Sequence, residues 1–178
     1  MKRAAFGIAL AVVLAALAAP ELPRYAAERR VGWATSAFRA LLDRASDPET
    51  GRNLVAVGQL ALRTTARLPG DPRPWVLAGS SCLVTGQPDK ALEYYREGFA
   101  TGERPEIDLN LGRAYAALKR DDSARAAYVR AGWINPEILD GLSPEDKQPA
   151  LAETKRLAAA LARGDLDAAP PLPSEERR

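Results

Sequence analysis

Residues 79–95, GSSCLVTGQPDKALEYY, and residues 112–128, GRAYAALKRDDSARAAY, decide the fold of this chain. The two stretches carry the same small and aromatic residues at positions that are 33 residues apart. The matched pairs are Gly79 with Gly112, Ala91 with Ala124, and Tyr95 with Tyr128. A period of about 34 residues, with small residues where helices would cross, is typical of stacked pairs of helices. The pattern therefore predicts an all-α fold that offers a surface and not a reaction centre.

Proline, aspartate and glycine mark the expected ends of the helices. Aspartate followed by proline is a start signal, and glycine is a common stop. The first two helices are predicted from Arg24 to about Arg44 and from Asp47-Pro48 to near Leu68. The next pair starts at Asp71-Pro72, with stops at Gly86 and Gly102. The last pair starts at Pro105, has a second helix capped by Asp121 or Asp122, and stops at Asn135-Pro136. No stretch alternates in the manner of a strand between turn signals, so no sheet is expected.

The first expected helix carries two neighbouring apolar stripes. Residues four apart lie on the same side of a helix. The stripes hold Trp33, Ala37 and Leu41 on one line, and Ala34, Phe38 and Leu42 on the next. Together with the helix after Asp47-Pro48, this helix is interpreted as a degenerate first repeat.

The C-terminal part combines one good helix with a proline-rich tail. Ser143-Pro144 is a start signal, and residues 150–163 form an amphipathic helix that ends at Gly164. The last repeat of a stack would leave its apolar face exposed, and we expect this helix to cover that face. The segment from Asp165 onward is too proline-rich and polar to pack, so it is predicted to be a disordered or polyproline tail.

The N-terminus has the composition of an export signal. Lys2 and Arg3 precede an apolar run, residues 4–19, which ends in small residues and is closed by Pro20. Ala16-Leu17-Ala18 is a candidate cleavage site. As a helix the run reaches about 24 Å, whereas the hydrocarbon core is about 30 Å thick. Two interpretations stay open, a cleaved signal peptide and a retained membrane anchor, with the domain exported in both.

The composition argues against catalysis. The chain has no histidine and one cysteine, Cys82, which removes the commonest general base and the commonest metal ligand. A Ser/His or Cys/His nucleophile pair is impossible, and Cys82 is expected to be buried. The net charge of +2 is matched by Lys2 and Arg3, so no basic patch indicates nucleic acid. We expect no enzymatic activity, no cofactor and no metal.

The two central repeats resemble tetratricopeptide repeats. The first matches the pattern of that family with Trp75, Ala78-Gly79, Ala91, Tyr95 and Gly98, and the second with Leu111-Gly112, Tyr115, Ala124, Tyr128, Ala131 and Pro136. Cys82 and Asp108 depart from it, because both stand where the family has an aromatic residue. The resemblance covers residues 72–137, with residues 30–70 as a weaker extension. It implies antiparallel helical hairpins stacked as a short solenoid.

The resemblance also implies a docking groove. In this family the first helix of each hairpin lines a concave groove that holds extended or helical peptides. Carried over by position, the partner-binding residues are Arg73, Val76, Ser80 and Leu83 from one hairpin, and Glu106, Leu109, Asn110 and Arg113 from the next. Val76 and Ser80 replace the lysine and asparagine that grip a terminal carboxylate in chaperone-binding relatives. Capture of a C-terminal carboxylate is therefore not expected.

These observations predict an organisation and a class of function. The segments are a signal peptide or anchor at 1–23, a helical pair at 24–70, repeats at 71–104 and 105–137, a capping helix at 138–164 and the tail at 165–178. The expected function is a non-catalytic adaptor or scaffold of the cell envelope, which docks a protein partner through the groove and aids assembly of a larger complex. One alternative is a small structural subunit buried in a membrane enzyme complex. Another is a soluble periplasmic peptide-binding module left after signal cleavage.

Overall fold

The structure, a computed structural model, describes residues 19, 21–44, 48–165, 169–171 and 173. These residues form α-helices and short 3-10 helices and contain no strand, so the all-α prediction is confirmed for this part of the chain. The α-helices are α1 Glu21–Leu42, α2 Pro48–Leu62, α3 Arg73–Val84, α4 Pro88–Ala100, α5 Pro105–Ala117, α6 Asp121–Ile134 and α7 Pro144–Ala162, and the 3-10 helices are Thr65–Arg67 and Pro136–Gly141.

Each helix packs against the next one along the chain, and α1 with α3 and α3 with α5 also touch. Trp75 near the start of α3 contacts Gly98 near the end of α4, while Gly79 contacts Tyr95. The order of contacts therefore runs in opposite directions along these two helices. The main apolar core includes residues of every helix from α3 to α7. A second apolar cluster joins α1, α2 and α3 around Phe38.

The matched glycines lie at the closest helix contacts. A Cβ atom added to Gly79 would sit 2.5 Å from Cε1 of Tyr95, and one added to Gly112 would sit closer still to the same atom of Tyr128. Both tyrosines are buried. The small residues are required because each ring fills the space that a side chain on the facing helix would occupy.

Most of the predicted boundaries in the repeats are present. Gly86 and Gly102 follow α3 and α4 with φ of 75° and 137°, a conformation that favours glycine. Pro105 is the first residue of α5. The Asp121 prediction is wrong in detail, because Arg120 is the N-cap residue and no side chain caps α6. Asp121 lies inside the first turn, where the helix dipole favours a carboxylate.

Two helix ends differ from the prediction. α1 begins at Glu21 and not at Arg24, since Pro23 is tolerated in a first turn. α2 ends at Leu62 and not near Leu68, and the hydroxyl of Thr64 donates to the Ala61 carbonyl at 2.6 Å where a 3-10 helix follows. The start signal at Ser143-Pro144 is confirmed, because α7 begins at Pro144, is capped by Ser143 and keeps Pro149 inside it. Short-range hydrogen bonds are present at the end of α2 and at the start of α7.

The described part of the tail packs, contrary to the prediction. Pro170 and Pro173 are buried. Arg130 Nη1 on α6 donates a hydrogen bond to the Pro170 carbonyl at 2.6 Å. The guanidinium of Arg130 thus supplies a hydrogen-bond donor to a backbone carbonyl outside any helix. The remaining tail residues, 166–168, 172 and 174–178, lie outside the described residues.

The N-terminal prediction is not settled by the structure. Residues 1–18 and Pro20 lie outside the described residues, and with them the apolar run and its candidate cleavage site. Among the helices that are described, none has the length and apolar character needed to cross a membrane. Signal peptide and anchor both stay predictions.

Candidate interaction surfaces

Half of the predicted groove residues already have intramolecular partners. The guanidinium of Arg73 is bound to the carboxylate of Asp71, with Nη2 to Oδ2 at 2.6 Å. The hydroxyl of Ser80 is 3.2 Å from that of Tyr95. These contacts use part of the hydrogen-bonding capacity of both groups, so less of it remains for a ligand.

Arg113 and Asn110 form a second such pair. Arg113 Nη1 donates to Asn110 Oδ1 at 3.2 Å, and Arg113 Nη2 donates to the Gly141 carbonyl at 2.7 Å. The arginine therefore links α5 to the 3-10 helix that follows α6. Asn110 is only partly buried, and its side-chain nitrogen has no hydrogen bond to a described residue.

The apolar members of the predicted groove divide between core and surface. Leu109 is only 6% exposed and belongs to the main core, so the expectation that it faces a partner is wrong. Val76 and Leu83 are partly buried against the same core. Glu106 is exposed at the start of α5. Position in the repeat could not predict this, because burial of Leu109 depends on which face of α5 its neighbours cover.

A surface that the sequence did not single out lies on the outer side of α1 and α2. It is a groove of about 650 Å³, mostly lined by apolar side chains. Its apolar members are Trp33, Ala37, Ala40, Leu41, Ala56, Val57 and Leu60. Trp33 is 60% exposed. Gly58, on the opposite side of α2, faces α3. The groove therefore lies at the end of the stack, and we call it the open end.

The open end had a visible signal in the sequence. α1 carries two apolar stripes, and the structure buries residues of only one of them, in which Leu42 stays exposed. Ala34 and Phe38 are buried, whereas Trp33 is exposed and Ala37 and Leu41 are only partly covered. A helix with two apolar stripes needs neighbours that cover both. Among the described residues, α2 and α3 pack against α1 but leave Trp33 largely uncovered.

The opposite end of the stack is covered. α7 packs against α6 and buries Ala150 and Thr154. A Cβ atom added to Gly132 on α6 would lie 2.7 Å from Leu139 Cδ1 and 3.0 Å from Thr154 Oγ1. The two ends of the stack therefore differ, because only the C-terminal one has a covering helix among the described residues.

Asp108 is the most unusual charged residue in the described part of the chain. Its side chain is fully buried, and neither carboxyl oxygen has a hydrogen-bond partner there. Burial, followed by the charge of Glu103, raises the pKa of Asp108 to about 7, while the charge of Arg130 opposes the rise. Asp108 stands where the resemblance expects an aromatic residue. The departure was visible in the sequence, but its burial was not.

The described residues contain no cluster of side chains that commonly bind a metal ion. No group of three or more histidine, cysteine, aspartate or glutamate side chains in this part of the chain could hold a metal ion. Cys82 is buried as expected, and burial raises the pKa of its thiol. A buried thiol with a raised pKa is a poor nucleophile at neutral pH.

Comparison with known proteins gives no match to a family model, to a curated protein or to a solved structure. The resemblance to tetratricopeptide repeats therefore rests on the residues that recur at a spacing of 33. The all-helical fold of the described residues is shown, and the repeat family stays a prediction.

Proposed function

We propose that the chain is a non-catalytic protein–protein interaction adaptor of the cell envelope. In this proposal a short stack of tetratricopeptide-like hairpins docks a protein partner and aids assembly of a larger complex. The observation that supports it best is the open end, where Trp33 is 60% exposed beside an apolar groove. An uncovered apolar groove with an aromatic residue at its rim is typical of a surface that binds another protein.

Two physical arguments connect the open end to a partner. Terminal units of a helical repeat stack usually present a polar outer face, because an apolar one promotes association. Here the outer face carries alanine and leucine side chains from both α1 and α2. Tryptophan is also enriched among the residues that dominate binding energy at protein interfaces. Burial of Trp33 by a partner would therefore contribute much of the affinity.

The predicted groove has a secondary place in this proposal. Val76, Glu106 and Asn110 are at least partly accessible on α3 and α5. They would extend the contact if a partner reaches from the open end along the first helices of the hairpins. Arg73, Ser80 and Arg113 would contribute less, because part of their hydrogen-bonding capacity is used within the protein.

A second candidate function is a structural subunit buried in a membrane enzyme complex. The apolar character of the open end favours it, because permanent interfaces are more hydrophobic than transient ones. The two candidates differ in stoichiometry. An adaptor exchanges partners, whereas a structural subunit is recovered at a fixed ratio in one purified complex.

Site-specific crosslinking in living cells tests the proposal. A photoreactive amino acid placed at residue 33 should give one discrete crosslinked protein. The matched control is residue 161, where Leu161 on α7 is 47% exposed, outside the open end. Trp33→Ala should abolish co-purification of the crosslinked protein, and Leu161→Ala should preserve it. No crosslink at residue 33, or equal crosslinks at both residues, would contradict docking at the open end.

A further inference from the structure

A cavity of about 890 Å³ lies where the starts of α1, α3 and α5 approach one another. Arginines from four separate elements line it. They are Arg24 in the first turn of α1, Arg67 in the first 3-10 helix, Arg73 at the start of α3 and Arg104 directly before α5. The carboxylates of Glu28 and Asp71 also line the cavity. Its lining thus has more positive than negative side chains.

One of the two carboxylates is fully engaged by a single arginine. Arg73 Nε donates to Asp71 Oδ1 at 2.9 Å, and Arg73 Nη2 donates to Asp71 Oδ2 at 2.6 Å. The backbone N–H of Arg73 also donates to Asp71 Oδ1, at 3.0 Å. Burial alone would raise the pKa of Asp71, but these hydrogen bonds hold it below its usual range. Asp71 therefore stays ionised and neutralises Arg73.

The other arginines are poorly compensated. Glu28 and Arg24 form an ion pair at 3.7 Å, in which both side chains are about half exposed or more. Such a pair contributes little, because water screens it. Arg67 and Arg104 have no hydrogen bond or ion pair to any described residue. Two guanidiniums with free donors thus share the cavity.

Helix ends add to this positive field. Arg24, Arg73 and Arg104 lie at or next to the N-termini of three different helices. Each N-terminus carries a partial positive charge from the helix dipole. Pro23, Pro69 and Pro72 form part of the wall, which restricts the local backbone. An anion in this cavity would meet guanidinium groups and helix ends from several directions.

We propose that this cavity binds a phosphate group, with Arg67 and Arg104 as its principal ligands. A phosphate presents several acceptor oxygens in a tetrahedral arrangement, so it can bind guanidiniums that approach from different elements. A carboxylate presents two oxygens in one plane, and Asp71 shows that one arginine is enough to satisfy it. The phosphate can come from a soluble phosphate ester or from the headgroup of an anionic lipid.

Binding of phosphate probes to the full-length chain in a neutral detergent tests the proposal. The side-chain N–H signals of the arginines are followed by NMR while inorganic phosphate, glycerol 1-phosphate or succinate is added. Arg67→Gln with Arg104→Gln removes two charges at the cavity. Arg39→Gln with Arg125→Gln removes two charges from exposed positions outside it. Arg67→Lys with Arg104→Lys keeps the charge and removes the fork-shaped donors.

We expect saturable binding of a phosphate probe to the unaltered protein. Arg67→Gln with Arg104→Gln should weaken this binding about tenfold or more, and a tenfold loss corresponds to about 1.4 kcal/mol. Arg39→Gln with Arg125→Gln should change the affinity for phosphate less than about twofold. Nanodiscs of phosphatidylcholine with and without phosphatidylglycerol identify the source, because tighter binding to the anionic nanodiscs than to glycerol 1-phosphate indicates a lipid headgroup. Absence of saturable phosphate binding, equal weakening by both pairs, or tighter binding of succinate than of phosphate would overturn the proposal.

Discussion

The ring of Tyr95 on α4 occupies the space that a side chain at Gly79 on α3 would need. An added Cβ atom would lie 2.5 Å from the ring. The ring cannot easily move away, because it is buried and its hydroxyl is 3.2 Å from that of Ser80. The same relationship recurs between Gly112 and Tyr128.

Gly79→Ala should destabilise the fold by about 1–3 kcal/mol, because overpacking outweighs the gain in helix propensity. Gly32→Ala is the matched control, since Gly32 lies inside α1 with open space around its Cβ position. That control should stabilise the fold by up to about 1 kcal/mol. Urea unfolding measures both. Equal effects of the two substitutions would show that Gly79 is not at a close helix contact.

Tyr95→Phe should lower the free energy of unfolding by about 0.5–1.5 kcal/mol, through loss of the hydrogen bond with Ser80. Burial raises the pKa of Tyr95 to about 12. A phenol with a raised pKa contributes stability that is present below its unfolded pKa of about 10 and is lost as the pH rises toward 12. Absorbance at 295 nm should show a late ionisation phase that shrinks in Tyr95→Phe. An unchanged late phase would contradict burial of this hydroxyl.

Asp108 should make the protein less stable as the pH rises from about 4 to about 7. Its pKa is about 7 in the fold and about 3.9 in an unfolded chain. The folded state therefore binds the extra proton in that window, and each pH unit costs at most about 1.4 kcal/mol. Asp108→Asn should remove this slope, whereas Asp122→Asn, at an exposed position on α6, should not. Parallel pH profiles for Asp108→Asn and the unaltered protein would refute the prediction.

Arg130 should connect the C-terminal segment at Pro170 with the buried carboxyl group of Asp108. It forms an ion pair with Glu103, donates to the Pro170 carbonyl and lowers the pKa of Asp108 by its charge. Arg130→Gln should therefore raise the pKa of Asp108 further, as observed by carbon NMR of its carboxyl group. Arg125→Gln, on the same helix but exposed, serves as the control. If both substitutions leave that carbon signal unchanged, Arg130 does not face Asp108.

The sequence predicted local structure better than it predicted surfaces. The stops at Gly86 and Gly102 and the start at Pro105 depend on the conformational preferences of single residues, which can be read without a structure. The end of α2 involves a local hydrogen bond that no stop signal indicated, and the packing of Pro170 depends on a hydrogen bond from a distant helix. The same limit applies to Leu109, which the repeat pattern placed on the groove and the structure places in the core.

The sequence by itself determined that this chain is helical, because small residues, start signals and stops recur at one spacing along it. Only the tertiary structure decided which apolar stripe of α1 is covered, that Asp108 is buried, and that arginines as distant in sequence as Arg24 and Arg104 line one cavity. The physical reason is that helix formation depends on neighbours within about four residues. Burial and charge proximity depend on residues that only folding brings together.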